Sequence, residues 1–71
     1  MTIDELNARM TQLELTVADM ALIAGTTRRA VEKWRAGIHP VPRTVAIILD
    51  AMAAGQLSPD WLMTWLERQS T

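Results

Sequence analysis

The stretch that decides the fold runs from residue 17 to residue 37 and reads VADMALIAGTTRRAVEKWRAG. Thr16 forms a capping-box pattern with the acid three residues later, and apolar residues follow at helical spacing. Gly25 ends this helix because glycine adopts the left-handed conformation easily. Thr27 then caps a second short helix, which Gly37 terminates. The pattern predicts two short helices separated by about three residues, a helix-turn-helix.

The second of these helices divides its residues between two faces. At about 100° per residue, the apolar residues share one arc and the charged residues share the opposite arc. The apolar arc holds Ala30, Val31 and Trp34, and the charged arc holds Arg28, Arg29, Glu32 and Lys33. A helix that docks in the major groove of DNA needs this division, since its outer face contacts bases and its back face packs on the domain. A solvated charged helix shows the same pattern, so both interpretations stay open here.

Similar signals predict three further helices. Thr2 begins a capping box, and the helix behind it is expected from about Ile3 to Leu13. Pro42 fits the first turn of a fourth helix. A fifth helix is expected over residues 59–69, with Ser58 as its cap. No segment alternates between apolar and polar residues over any length, so the sequence predicts an all-α fold.

Length and composition limit the class of protein. We expect residues 1–71 to form one compact five-helix domain with the helix-turn-helix at its centre. No apolar run approaches the ~20 residues of a membrane span, and the first residues carry acids where a signal peptide carries bases. With one histidine, no cysteine and no glycine-rich phosphate loop, we expect no metal, cofactor, small-molecule ligand or enzymatic activity.

The net charge of −1 hides a strong asymmetry along the chain. Residues 28–43 hold five cations against one acid, a net charge of +4, and the rest of the chain carries −5. One basic face on an acidic body is typical of a protein that binds nucleic acid.

From Leu15 to Leu62 the chain resembles the phage repressor and Cro family of helix-turn-helix proteins. The resemblance rests on short strings that occur in the family's order and spacing: Leu15-Thr16, GTTRRAVEKW at residues 25–34, Gly37, Pro42-Arg43, and Ser58-Pro59-Asp60-Trp61-Leu62. The last string is similar to the segment that closes the five-helix domain of the family.

The resemblance implies a set of DNA contacts. It places four residues against bases or neighbouring phosphates: Thr27, Arg28, Arg29 and Lys33. It places Arg43 near the phosphate backbone or the minor groove. Arginine suits bidentate contact with guanine, and a threonine methyl suits the thymine methyl. The remaining candidate contacts are Thr26, Glu32, Arg35 and Thr44. Glu32 either accepts a hydrogen bond from cytosine or pairs with a neighbouring arginine.

The chain also departs from the family pattern. Val17 stands where a glutamine often bonds a phosphate. In some members a salt bridge joins the residues at the positions of Met10 and Arg35. Methionine cannot form this salt bridge, which leaves Arg35 free to reach DNA. Leu22 and Ile23 replace polar residues, and they either enlarge the core or contact another chain.

The fifth helix is apolar on more than one arc, which is typical of a helix that covers another surface. We expect a homodimer interface there, made of Leu57, Trp61, Met63 and Trp65. The alternative places the two tryptophans in the core.

These features predict a cytoplasmic, homodimeric repressor of a phage or mobile-element operon in a bacterial host. It would bind an inverted repeat in double-stranded DNA, a palindromic operator, and possible targets include its own operon. Prophage repressors, Cro-like proteins, antitoxin-type regulators and regulators linked to anti-CRISPR genes all fit. The alternative function is a protein-binding module or inhibitor, of anti-CRISPR or toxin–antitoxin type, that uses the same fold without binding an operator.

Overall fold

The computed structural model describes residues 1–69. Its helices are α1 (Ile3–Gln12), α2 (Val17–Ala24), α3 (Arg28–Arg35), α4 (Arg43–Ala53) and α5 (Pro59–Gln69). These residues contain no strand, so the predicted all-α fold with five helices is confirmed. The predicted domain also includes Ser70 and Thr71, which lie outside the described residues. None of the five helices has the length and apolar content that a membrane span requires.

The first two helices begin with complete capping boxes. The Thr2 hydroxyl accepts a hydrogen bond from the Glu5 N–H at 3.1 Å, and the Glu5 carboxylate accepts one from the Thr2 N–H at 3.3 Å. Thr16 and Asp19 repeat the arrangement at 3.1 Å and 3.0 Å. Two hydrogen bonds with Thr2 lower the pKa of Glu5: the bond from the Thr2 backbone has the larger effect, and the bond with the Thr2 side chain has the smaller one. The Glu5 side chain therefore stays ionised until the pH falls through this lowered pKa, where protonation removes the carboxylate from the capping box.

The helix ends differ by one residue from the sequence prediction at three places. α1 ends at Gln12 with Leu13 as its C-cap, and α3 ends at Arg35 instead of residue 36. Pro42 is the N-cap of α4 and does not lie in its first turn. Its ψ of 143° is extended, and its carbonyl accepts the first helical hydrogen bond, from Ala46 at 3.1 Å. Proline suits this position because it has no N–H to leave unpaired.

The core lies between the first four helices. Each of them contributes one almost fully buried side chain, in order Leu6, Met20, Val31 and Leu49. The other buried side chains are Met10, Ala21, Ile23, Trp34, Val45 and Met52. No polar side chain of residues 1–69 is buried. The core therefore holds α3 through apolar contacts alone, and the predicted burial of Trp34 is confirmed.

α5 packs on α2 from outside this core, and none of its residues is buried. Leu62 and Leu66 are half-buried against the core, whereas Trp61 is 53% exposed and Trp65 is 41% exposed. The alternative that placed the two tryptophans in the core is therefore wrong. The sequence pattern could not decide this, because it does not show which arc of α5 meets α2.

The two unusual apolar residues of α2 have different environments. Ile23 is buried and enlarges the core, as one of the two predicted alternatives held. Leu22 is 57% exposed, so it does not belong to the core. Adjacent residues on a helix point about 100° apart, so one helix cannot bury both against the same neighbour.

Candidate nucleic-acid interface

A glycine turn orients α3 against α2. Gly25 is the C-cap of α2 with φ 67° and ψ 37°, in the left-handed region. A Cβ atom at Gly25 would meet nothing within 4 Å, so the backbone conformation and not space favours glycine here. The Thr26 N–H donates to the Ala21 carbonyl at 2.9 Å, and the Thr27 hydroxyl caps α3 by accepting the Ala30 N–H at 3.1 Å. This arrangement fits a helix-turn-helix.

α3 turns its apolar and charged residues in opposite directions. Val31 and Trp34 face the core, and Ala30 is half-buried beside them. The opposite side carries the exposed Arg28, Arg29 and Glu32 and the half-buried Lys33, and the exposed Arg35 lies at its edge, about 40° around the helix from Val31. We call these five residues the α3 face. The two arcs predicted from the sequence are thus the inner and outer sides of this helix.

The α3 face forms no ion pair within residues 1–69. The ion pair observed in that part of the chain joins Arg9 to Asp50, at 3.4 Å between Nε and Oδ1. The predicted local pairing of Glu32 with a neighbouring arginine is therefore absent from the described residues. The cations of the α3 face keep their charge available for an anionic partner.

The turn before α3 lies close to the beginning of α4. Thr26 and Thr44 line one groove of about 380 Å³, together with Pro42 and Trp34. No side chain caps α4, so its first N–H groups lack a side-chain acceptor. Arg43 is exposed as the first residue of the same helix. The structure thus brings together candidate DNA-contact residues from two separate segments of the chain. The free N–H groups at the start of α4 are suited to bind a phosphate.

Arg35 differs from the sequence prediction because it has a partner. Its Nε donates a hydrogen bond of 2.8 Å to Oδ1 of Asn7 on α1. The side chain is therefore held, and the expectation of a free Arg35 needs this correction. Asn7 is not among the residues predicted from the sequence. It lies three residues before the buried Met10, and residues at this spacing share a helix side, which is the signal that points to it.

The residues predicted for a dimer interface divide between two surfaces. Leu57 and Trp61 line a shallow groove of about 460 Å³ at the junction of α4 and α5, and Trp65 follows one turn later. Met63 lines a different groove of about 460 Å³, with Leu22. Trp61 and Met63 are two residues apart and so point about 200° apart around α5. One flat interface cannot contain both.

Within residues 1–69, no group of three or more His, Asp or Glu side chains is placed to hold a metal ion. Val17 is half-buried against the core. Comparisons with protein-family models, with curated proteins and with solved structures find no match to this chain.

Proposed function

We propose that the protein is a sequence-specific DNA-binding regulator that places α3 in the major groove. One observation carries the proposal: α3 is fixed to the core by Val31 and Trp34 while its opposite side presents cations to solvent. The N-terminal residues of a recognition helix reach the base edges, and here they are Arg28 and Arg29. We further propose that the protein acts as a repressor in the cytoplasm of a bacterial host.

The surroundings of α3 offer contacts to the DNA backbone. The Thr27 oxygen accepts the capping hydrogen bond, so its O–H is free to donate to a phosphate. The uncapped start of α4 and the exposed Arg43 supply N–H groups and a charge on the neighbouring helix. Phosphate contacts of this kind position a protein on the duplex, whereas base contacts give it specificity.

The direct test is selection of a preferred duplex from a random-sequence DNA library, followed by titration with salt. We expect a defined binding site, here called the selected duplex, and an affinity that falls steeply as the salt concentration rises. The fall reflects counterions released from phosphates that lysine and arginine neutralise. A library without any enriched site, or an affinity independent of salt, would contradict the proposal.

Arg43 is expected to contact the backbone. Arg43→Ala should weaken binding to all duplexes similarly and lower the slope of log affinity against log salt concentration by about one unit. Fluorescence anisotropy at several salt concentrations measures both quantities. The matched control is Arg9→Ala, which removes a cation that already pairs with Asp50. An unchanged slope for Arg43→Ala would remove this residue from the interface.

A dimer would explain how so small a protein selects one site. A single recognition helix covers only a few base pairs, which limits specificity in a genome of competing sites. Two copies related by two-fold symmetry read an inverted repeat with half-site centres about 34 Å apart. The exposed Trp61 and Trp65, with Leu57 beside them, are the apolar surface that supports such an interface, and we call these three residues the α5 ridge.

Trp65→Glu is expected to give folded monomers that bind the selected duplex much more weakly. The side chain is already 41% exposed, so the substitution places a charge in the dimer contact without emptying the core. Light scattering gives the mass, and circular dichroism checks folding. Thr11→Glu adds the same charge at an exposed position of α1, outside the α5 ridge, and should leave the dimer intact. A wild-type protein that is monomeric both alone and on DNA would refute the dimer.

A second candidate function is the binding of another protein without DNA. The exposed Leu22 supports it, because this residue lines the apolar groove with Met63 and Leu66 on the far side of α5 from Trp61. The salt titration separates the two candidates, since only DNA binding releases counterions on this scale.

A further inference from the structure

We propose that Asn7 is a positioning residue that aims Arg35 at a phosphate of the DNA backbone. The inference rests on the proposed DNA-binding function and adds a contact from α1 to it. Its starting point is the 2.8 Å hydrogen bond from Arg35 Nε to Asn7 Oδ1, which joins residues 28 positions apart in the chain. The two side chains line an open groove of about 340 Å³ between α1 and the end of α3.

The position of Arg35 on α3 places it where a phosphate is expected. Arg28, Glu32 and Arg35 lie at spacings of four and three residues, so they form one stripe along the helix. The eight residues of α3 span about 12 Å, whereas the major groove is about 8.5 Å deep. When the N-terminal end of α3 reaches the bases, its last residue therefore lies at the edge of the groove, beside the backbone.

The hydrogen bond to Asn7 holds the guanidinium without neutralising it. Arginine has five N–H donors, and the bond to Asn7 uses the one on Nε. The terminal nitrogens make no hydrogen bond within residues 1–69, so their N–H groups remain available to donate to a phosphate. An amide is neutral, so the full positive charge remains for a phosphate. Fixing the side chain beforehand also lowers the entropy lost on binding.

Glu32 makes this anchoring necessary. It lines the same groove and precedes Arg35 by three residues, a spacing at which opposite charges attract on a helix. A released Arg35 is therefore expected to turn towards the Glu32 carboxylate, which would partly compensate its charge. The bond to Asn7, on a different helix, keeps the guanidinium apart, and the described structure indeed contains no ion pair between these two residues.

The main test is Asn7→Asp, measured as the salt slope of binding to the selected duplex. The aspartate keeps an oxygen acceptor at the same place but pairs with Arg35 in place of a phosphate, so we expect the slope to fall by about 0.9, the value for one phosphate. Arg35→Ala should lower it equally, and the double variant should lower it no further. Ala8→Asp, which adds the same charge to the next, exposed residue of α1, should leave the slope unchanged.

Asn7→Ala gives a second test that does not depend on the folding of the aspartate variant. We expect its slope to fall because Arg35 turns to Glu32, and adding Glu32→Gln should restore it. A merely structural role for Asn7 would not be rescued in this way. A wild-type slope in both Asn7 variants, or an equal loss in Ala8→Asp, overturns the assignment while DNA binding stands. A wild-type protein without salt-dependent binding overturns both proposals.

Discussion

Leu49→Ala is expected to lower the free energy of unfolding by about 2–5 kcal/mol, the largest effect of any single change considered. The Leu49 side chain is fully buried on α4, at 0% exposure. Its truncation removes apolar contacts and leaves a cavity that the surrounding helices fill only in part. A core of this size rarely supplies more than about 3–5 kcal/mol, so a substantial fraction of the variant should be unfolded at room temperature.

Urea unfolding followed by circular dichroism measures this loss. The matched control is Ile47→Ala, on the same helix two residues earlier, where the side chain is 60% exposed. We expect this control to change stability by no more than about 0.5 kcal/mol, as exposed substitutions usually do. Equal losses in the two variants would mean that α4 does not present Leu49 to the core.

Arg28→Ala is expected to weaken binding to the selected duplex by about 1–3 kcal/mol, which corresponds to about 5-fold to 150-fold in affinity. Arg28 is exposed as the first residue of α3, at the end of the helix that we propose to enter the groove. A bidentate contact from arginine to guanine explains both the size of the loss and a second expected effect. The variant should lose its preference at a single base pair of each half-site.

Anisotropy titrations with the selected duplex and its single-base variants measure affinity and specificity together. Arg29→Ala should behave in the same way at a different base pair. Arg9→Ala, which removes an equal charge from α1, should retain the full preference of the wild type. A uniform loss across all duplexes would assign Arg28 and Arg29 to phosphates instead of bases. Wild-type binding by both variants would refute the proposed docking of α3.

The starts of three helices, the turn at Gly25 and the two sides of α3 follow from the sequence alone, because local interactions determine them. The starts of α1, α2 and α3 follow from Thr2, Thr16 and Thr27, whose hydroxyls accept N–H groups three residues later. The turn at Gly25 follows from the left-handed backbone that glycine adopts easily. The two sides of α3 follow from helical periodicity. Each of these features depends on residues less than two helical turns apart, so the sequence pattern contains the information.

Features that join distant segments were decided by the tertiary structure. Periodicity shows that α5 has several apolar arcs, but the contact with α2 decides that Leu62 and Leu66 face inward and the tryptophans outward. The same contact leaves Met63 half-buried against the core and Trp61 exposed, so two residues predicted for one interface line different grooves.

The hydrogen bond between Asn7 and Arg35 shows the physical reason most clearly. The resemblance implies a salt bridge between the positions of Met10 and Arg35 that methionine cannot form, and the sequence pattern names no other partner for Arg35. The actual acceptor lies one helical turn away from Met10, on α1, and it contacts Arg35 only because α1 packs against α3. A helical wheel gives angles within one helix, whereas the distance between side chains on two helices depends on how the core between them is filled.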